Sequence, residues 1–486
     1  MRRLTTPGFG DVGRTRHPAV VVAVLATTGT CMSLMQTLVI PLIPELPKLL
    51  NTKASTASWV ITATLLVAAV ATPVVGRLGD MYGPKRLLIA CAILMTVGSL
   101  IAASTSAWVP VVIGRALQGF GVPIIPLGIS VLRTCVPAHR VGTAMGLMSA
   151  SLGVGGALGL PLAAIIADRF DWHAVFWFAA MLGAMSGVLF AVLVPRIPAA
   201  ASSDRLDPLG ALGLAAGLVT LLLGISKGGS WGWGSATTLA MFAASMVIFA
   251  MFGWWQLRID SPMVDLRTTI KRPVLMTNVA SVAVGFAMFA LALIGPQVLE
   301  LPVATGYGLG LSMVEAGLWL APGGLAMMVA SPVASRIAAA RGPRFTLTLG
   351  CAIIAGSYLA GLVLLGAAWQ LCLFNVLVSV GVGFAYSSLP ALINAAVPMS
   401  ETAAANGINA LARALGTSIS SAVVGAVLTG LTISIAGQEF PSLTAFRIGL
   451  LIAAGMAILA GVLAAMIPLT DADQDRVPAA VGASTR

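Results

Sequence analysis

The chain has 486 residues, of which 58% are hydrophobic and only 9% charged, with a net charge of +11 and a mean hydropathy of +0.99. Soluble domains carry about a quarter charged residues, so this composition excludes an ordinary soluble protein and places the chain in a bilayer, where length is counted in apolar spans of about 20 residues. The apolar runs are continuous and rich in Gly and Ala, without the ten-residue alternation of a membrane β-barrel, so the fold class is an all-α polytopic membrane protein.

Fourteen spans are predicted, at 19–43, 57–77, 87–106, 108–132, 142–167, 173–194, 208–226, 236–256, 273–298, 313–334, 345–366, 368–393, 404–430 and 445–467. Span 1 begins about eighteen residues in, with no clean small-residue cleavage site after it, and is read as retained. It carries Met32, Met35 and Gln36 ahead of Pro41 and Pro44. Spans 2 and 3 are joined by Gly76-Arg77-Leu78-Gly79-Asp80-Met81-Tyr82-Gly83-Pro84-Lys85-Arg86. Here the glycines permit close approach and a tight turn, and Asp80 is an acceptor among Arg77, Lys85, Arg86 and Arg140.

Span 4 contains Arg115. A mid-span arginine costs about 2.5–3.5 kcal/mol on insertion scales, so it faces the bundle interior, with Gln118 one turn on as the nearest local partner. Two roles are open to it, a functional cation or a packing arginine bonded to backbone carbonyls. Span 5 carries Gly153, Gly155, Gly156 and Gly159, expected to pack across the interface between two halves, and Pro161, expected to bend it. Trp231 and Trp233 lie in the turn between spans 7 and 8, at an interface. Asn375 lies in span 12, and Arg413 in span 13 is a second intramembrane cation, placed near enough to a helix end to snorkel. The tail from 471 to 486 is polar and expected to be disordered.

Ala71–Arg86 recurs in degraded form as Ala330–Phe345, at an offset of 259 with six of sixteen positions identical. A second echo pairs Val136-Pro137, Gly142 and Gly146 with Val397-Pro398, Ala403 and Gly407 at an offset of 261. Two six-helix halves alone give an offset of roughly 200 residues, so the excess fits one inserted helix pair. The expected division is 1–200 and 261–470 as six-helix halves, 201–260 as the inserted pair, and 471–486 as a tail. In the second copy Ala339 stands where Asp80 stands in the first.

With the amino terminus inside, twenty of the 27 Lys and Arg residues fall on the cytoplasmic side and only Lys48, Lys53, Arg169, Lys227 and Arg447 fall outside. Positive-inside topology accounts for the basic balance without nucleic acid and puts both termini in the cytoplasm of a plasma (inner) membrane protein. The five cysteines show no zinc or redox spacing, so neither disulfide nor metal is expected, and no cofactor.

Gly76-x-Leu78-x-Asp80-x-x-Gly83-x-Lys85, Arg115-x-x-Gln118-Gly119-x-Gly121 and Gly155-x-x-x-Gly159 with Pro161 occur in order on spans 2–3, 4 and 5. In these motifs and in the repeat, the chain resembles the major facilitator superfamily, in particular its fourteen-helix drug:proton antiporter branch (EmrB/QacA-like), over nearly its whole length. The resemblance implies that Asp80, with Gly76, Arg77, Gly83, Lys85 and Arg86, gates the cytoplasmic side, and that Arg115 takes part in coupling. The chain departs from the branch in span 1, where Leu34-Met35-Gln36 lacks the usual aspartate, and in span 5, where Leu160 separates Gly159 from Pro161.

None of the sixteen acidic residues lies near a span centre; Asp168, Glu300 and Glu315, at extracellular ends, are the candidate proton acceptors. A cavity lined by Met32, Met35, Gln36, Arg115 and Asn375, with Arg413 as a further cation, favours neutral or anionic amphiphiles over lipophilic cations. The expected function is export of hydrophobic small molecules by a monomer working by alternating access, with the proton as candidate coupled ion. A lipid translocator on the same fold and a facilitative carrier remain open. No catalytic residues are expected.

Overall fold

Backbone polar groups in hydrocarbon must be satisfied within the segment, so the apolar runs form helices. The computed structural model describes residues 18–39, 42, 46–57, 59–197, 206–435 and 438–468; the predicted tail 471–486 lies outside them. Among the described residues, fourteen helices are long and apolar enough to cross a membrane. The first six are α1 (Pro18–Thr37), α2 (Trp59–Tyr82), α3 (Pro84–Ala103), α4 (Trp108–Cys135), α5 (Ala138–Arg169) and α6 (His173–Leu193). A 3-10 turn at Gly119–Gly121 interrupts α4. Next come α7 (Pro208–Trp231) and α8 (Ala236–Gln256). The last six are α9 (Arg272–Glu300), α10 (Met313–Arg341), α11 (Pro343–Gly361), α12 (Ala368–Ala396), α13 (Thr402–Gly430) and α14 (Leu443–Ala465).

The helix ends depart furthest from the sequence expectation at α1 and α10. Helix α1 stops at Thr37 rather than 43, ahead of Pro41, whose approach biases the chain away from helical geometry. Helix α10 continues to Arg341, past the expected end at 334, with Pro322 and Pro332 inside it. Neighbouring helices make such interior prolines tolerable in membrane bundles. Between α13 and α14 a short antiparallel hairpin forms, β1 (Thr432–Ile435) with β2 (Gln438–Pro441), and the Tyr307 hydroxyl donates to Pro441 O.

Buried apolar side chains divide into two main cores, one drawn from residues 21–194 with Ala403, the other from residues 280–467. We refer to α1–α6 and α9–α14 as the first and second bundles. They meet chiefly along α5 against α10 and α2 against α13. A third core joins Leu66 and Ala69 of α2, Leu214, Leu218 and Leu222 of α7, and Leu411 of α13, so α7 straddles one seam between the bundles. At its far end Lys227 is buried, 4.9 Å over the Trp59 ring.

The repeat is visible in the backbone. Gly83 (φ 92°) and Gly342 (φ 86°) both precede a proline at the first position of the next helix. This left-handed geometry suits glycine alone.

Span-5 packing departs from expectation. Gly155 and Gly159 press on α1 of their own bundle: an added Cβ at Gly155 would lie 2.8 Å from Leu34 N, and one at Gly159 would strike Thr37. Across the bundle interface it is Gly146 and Gly153 that meet Ser335 and Met327, while Pro161 meets Gly317. Gly156 faces open space, its nearest neighbour being Ser33 Oγ at 3.9 Å. Gly155→Ala is therefore expected to lower the melting temperature in detergent, because overpacking typically costs about 1–3 kcal/mol. Gly156→Ala, on the same helix, should leave it unchanged or raise it slightly. Equal effects in a thermal melt would refute the assignment of the α1 contact to Gly155.

Candidate functional site between the bundles

Asp80 lies in the last turn of α2 and points across the seam. Its carboxylate accepts from the backbone N–H groups of Ala403 (3.2 Å) and Ala404 (2.9 Å), in the first turn of α13. These are orphan donors of a helix start, where the macrodipole also favours negative charge. The approach needs small residues: a Cβ on Gly76 would lie 2.8 Å from Ala403 O, and one on Gly407 would lie 2.9 Å from Thr72 O.

Arg133, at the end of α4, makes the opposite contact. Its guanidinium donates to Asn394 O (2.7 Å) and Val397 O (3.3 Å), the terminal carbonyls of α12, and to Thr402 Oγ1 (2.5 Å). A carboxylate thus sits on the positive start of α13 and a guanidinium on the negative end of α12, both reaching from the first bundle to one connection of the second. In the sequence Arg133 reads only as a topology charge; its place three residues before Val136-Pro137, the start of the second repeat echo, is the available signal.

The expected cationic cage around Asp80 is only partly present. The charge of Arg77 acts on Asp80. Lys85 instead donates to Ala191 O (2.8 Å) and Val194 O (2.6 Å) at the end of α6, and Arg86 and Arg140 are exposed. Long cations at a helix end find the nearest free carbonyls of a neighbouring helix. In the second repeat copy, Ala339 offers no acceptor to Gly142, the counterpart of Ala403.

Arg115 is buried within the first bundle. It donates through Nε to Val60 O (3.2 Å) and through Nη1 to Gln118 Oε1 (2.5 Å). Gln118 in turn donates to Ser99 Oγ (2.7 Å), and Thr64 Oγ1 donates to Arg115 O (2.9 Å). The partners belong to α2, α3 and α4 and are all neutral. This is the geometry of a packing arginine.

The expected common cavity does not assemble. Met32 and Met35 are buried in the first core, Met32 against Gly121, and Gln36 is exposed at the end of α1. Asn375 donates to Leu320 O (2.6 Å) inside the second bundle, packed on Gly323. Arg115 and Asn375 thus belong to separate networks, one in each bundle.

Arg413 does not snorkel. It lies eleven residues into α13 and turns inward to Asn409 Oδ1 and the face of Tyr386, 5.1 Å from the ring centroid. Asn409 Nδ2 donates to Asn278 Oδ1 (2.9 Å) and Ser281 Oγ (2.7 Å) of α9, and the Tyr386 hydroxyl donates to Met288 Sδ (3.0 Å). Depth explains the departure: about 16 Å of helix separates Arg413 from the start of α13, beyond easy reach of the interface.

Of the candidate proton acceptors, Glu315 is exposed and engaged in a capping box with Ser312 at the start of α10. Glu300 is exposed at the end of α9. Asp168 falls in the last turn of α5, and its side chain lies outside the described residues.

The family model described as Major Facilitator Superfamily matches residues 25–421. The chain belongs to the Major Facilitator Superfamily. Two relatives carry drug-resistance names. It is 24% identical over 423 residues to the lincomycin resistance protein LmrB of Listeria monocytogenes, covering 85% of this chain and 88% of that one. It is 26% identical over 441 residues to the tetracenomycin C resistance and export protein of Streptomyces glaucescens, covering 90% and 79%.

Among solved structures, the human organic anion transporter MFSD10 superposes with a TM-score of 0.67 at 15% identity, covering 92% of this chain and 100% of that one. The proton:xylose symporter XylE does so with a TM-score of 0.63 at 14% identity, covering 93% and 96%. At these identities the structures speak for the superfamily fold alone. The protein is a multi-pass membrane transporter and not an enzyme.

In this superfamily member, removing one contact at the seam is expected to loosen that end. A charge at a helix terminus contributes about 0.3–1 kcal/mol, rising to about 2 in partly buried geometry, which shifts an open–closed ratio by up to roughly thirtyfold. Spin labels at the exposed positions of Arg86 and Met399, in a cysteine-free background, report the gap. Asp80→Asn and Arg133→Gln should each broaden the distance distribution towards longer values, whereas Ala339→Asn should leave it as in the parent.

Proposed function

We propose that the protein exports hydrophobic small molecules from the cell by alternating access, the bundles rocking about their seam in the plasma (inner) membrane. The observation that carries this reading is the two-charge contact of Asp80 and Arg133 on the α12–α13 connection. Such a contact closes one end of the seam through a few bonds that can be made and broken together. The distribution of basic residues supports a cytoplasmic position for that end and for both termini. Residues 1–200 and 261–470 are the proposed moving halves, with 201–260 as the inserted pair, a division supported by the two separate apolar cores.

The proposed substrates are neutral or anionic amphiphiles. In support, the mid-membrane ionisable side chains among the described residues are the cations Arg115 and Arg413, and lipophilic cations lack a carboxylate there. The resistance names of the two relatives are consistent with drug or metabolite efflux. The proposed driving force is proton antiport by a monomer, supported by the resemblance of the α5 motif to the drug:proton branch. Gly155, Gly159 and Pro161 then shape α5 for that movement.

Reconstitution into proteoliposomes tests the reading with a panel of neutral, anionic and cationic amphiphiles at two pH gradients. Uptake into inside-out vesicles should follow an imposed pH jump for neutral or acidic compounds. Asp80→Asn should reduce the rate by about tenfold, the rate equivalent of 1.4 kcal/mol, and Ala339→Asn should leave it unchanged. Transport indifferent to the pH jump would replace antiport by facilitated diffusion. Strong export of ethidium-like lipophilic cations with no effect on acidic or neutral compounds would reject the substrate assignment.

A further inference from the structure

Arg115 and Arg413 lie within spans, yet they differ in what they leave free. Arg115 is 4% exposed, with Nε and Nη1 both engaged in a network that runs through α2, α3 and α4. Arg413 is only half-buried, and among the described residues one of its five N–H donors is engaged, on Asn409. Its guanidinium lies over the Tyr386 ring, 5.1 Å from the centroid, and carries the planar fork that matches a carboxylate. The side chain is held towards α9 and α12, away from the α13 face of Leu411 and Leu415 that packs with α2 and α7.

A further donor converges on the same cluster. Asn278 is buried with its Nδ2 unpartnered, while its Oδ1 accepts from the Asn409 amide that also holds Arg413. An unmatched buried donor, joined through Asn409 to an intramembrane cation, belongs to a network that favours negative charge. Met288, bonded to the Tyr386 hydroxyl, adds a polarizable side chain that adapts to varied apolar bodies.

We propose that Arg413, positioned by Asn409 and Tyr386, docks the carboxylate head of an amphiphilic substrate in the second bundle, while Arg115 serves the packing of the first. This rests on the export reading and narrows its substrate class to carboxylate-bearing amphiphiles. Charge pairing at mid-membrane depth, rather than shape alone, then distinguishes an acid from its ester.

The test uses the full-length protein and two probes, 11-(dansylamino)undecanoic acid and its methyl ester, which share an apolar body. Binding is read by dansyl fluorescence in detergent and transport in proteoliposomes. The parent should bind the acid at least about tenfold more tightly than the ester, each tenfold corresponding to 1.4 kcal/mol. Arg413→Gln should abolish that preference and change ester affinity by less than about twofold, and Arg413→Lys should restore part of it, because a point charge lacks the fork. Asn409→Asp, which sets an internal carboxylate on Arg413, should also abolish the preference and keeps the proposal testable if Arg413→Gln fails to fold. Arg115→Lys should retain it.

Undiminished acid affinity in a folded Arg413→Gln protein overturns the site, as does parallel weakening of both probes, or a parent that binds the two alike. Vesicles that move the ester while the parent shows no preference for the acid defeat the site and leave export standing. Arg413-dependent binding of the acid with transport of neither probe defeats export and leaves the site.

Discussion

Close approach of helix backbones across the α2–α13 seam is the constraint on which the remaining arrangement depends. In hydrocarbon there is little hydrophobic gain from pairing two apolar helices, so association relies on packing and on the few polar contacts that packing permits. Gly76 against Ala403 and Gly407 against Thr72 bring α2 within hydrogen-bonding reach of the start of α13. Only at that separation can Asp80 accept from the backbone of Ala403 and Ala404. A larger residue at either glycine would take the carboxylate out of reach without touching it.

The same economy governs charge. A helix start and a helix end lie side by side where α12 turns into α13, presenting unpaired N–H groups and unpaired carbonyls to the first bundle. Asp80 meets the former and Arg133 the latter. The two contacts share one connection, so separating the bundles there breaks both, which suits a closure that is either made or released. The pseudo-symmetric seam between α5 and α10 lacks this arrangement, since Ala339 has no acceptor; it relies on Gly146, Gly153 and Pro161 packing against Ser335, Met327 and Gly317.

Helices α7 and α8 add a further feature. Leu214, Leu218 and Leu222 of α7 join a core with residues of both α2 and α13, so α7 rests on the charged seam and not on the small-residue one. At its near end Asp207 caps α7 and accepts from Trp255 Nε1 (3.0 Å) and Gln256 Nε2 (2.6 Å) of α8, tying the pair into a unit.

Composition and run length determined the class and the fourteen helices, because burial in a bilayer forces each apolar run of sufficient length to close its own hydrogen bonds. The offset of 259 pointed to a helix pair inserted between two halves, the motifs pointed to Asp80 and Arg115, and a charge within a span pointed to Arg413. Their partners were not legible. Arg115 found Val60 and Gln118, Arg413 found Asn409 and Tyr386, and Asp80 found the backbone of a helix 323 residues away. A residue type states which charge must be satisfied, but what satisfies it depends on helices distant in sequence coming close in space. Arg133 makes the point most plainly: its sequence marks a basic loop residue, and only the docking of α12 and α13 against α4 makes it a bond between the bundles.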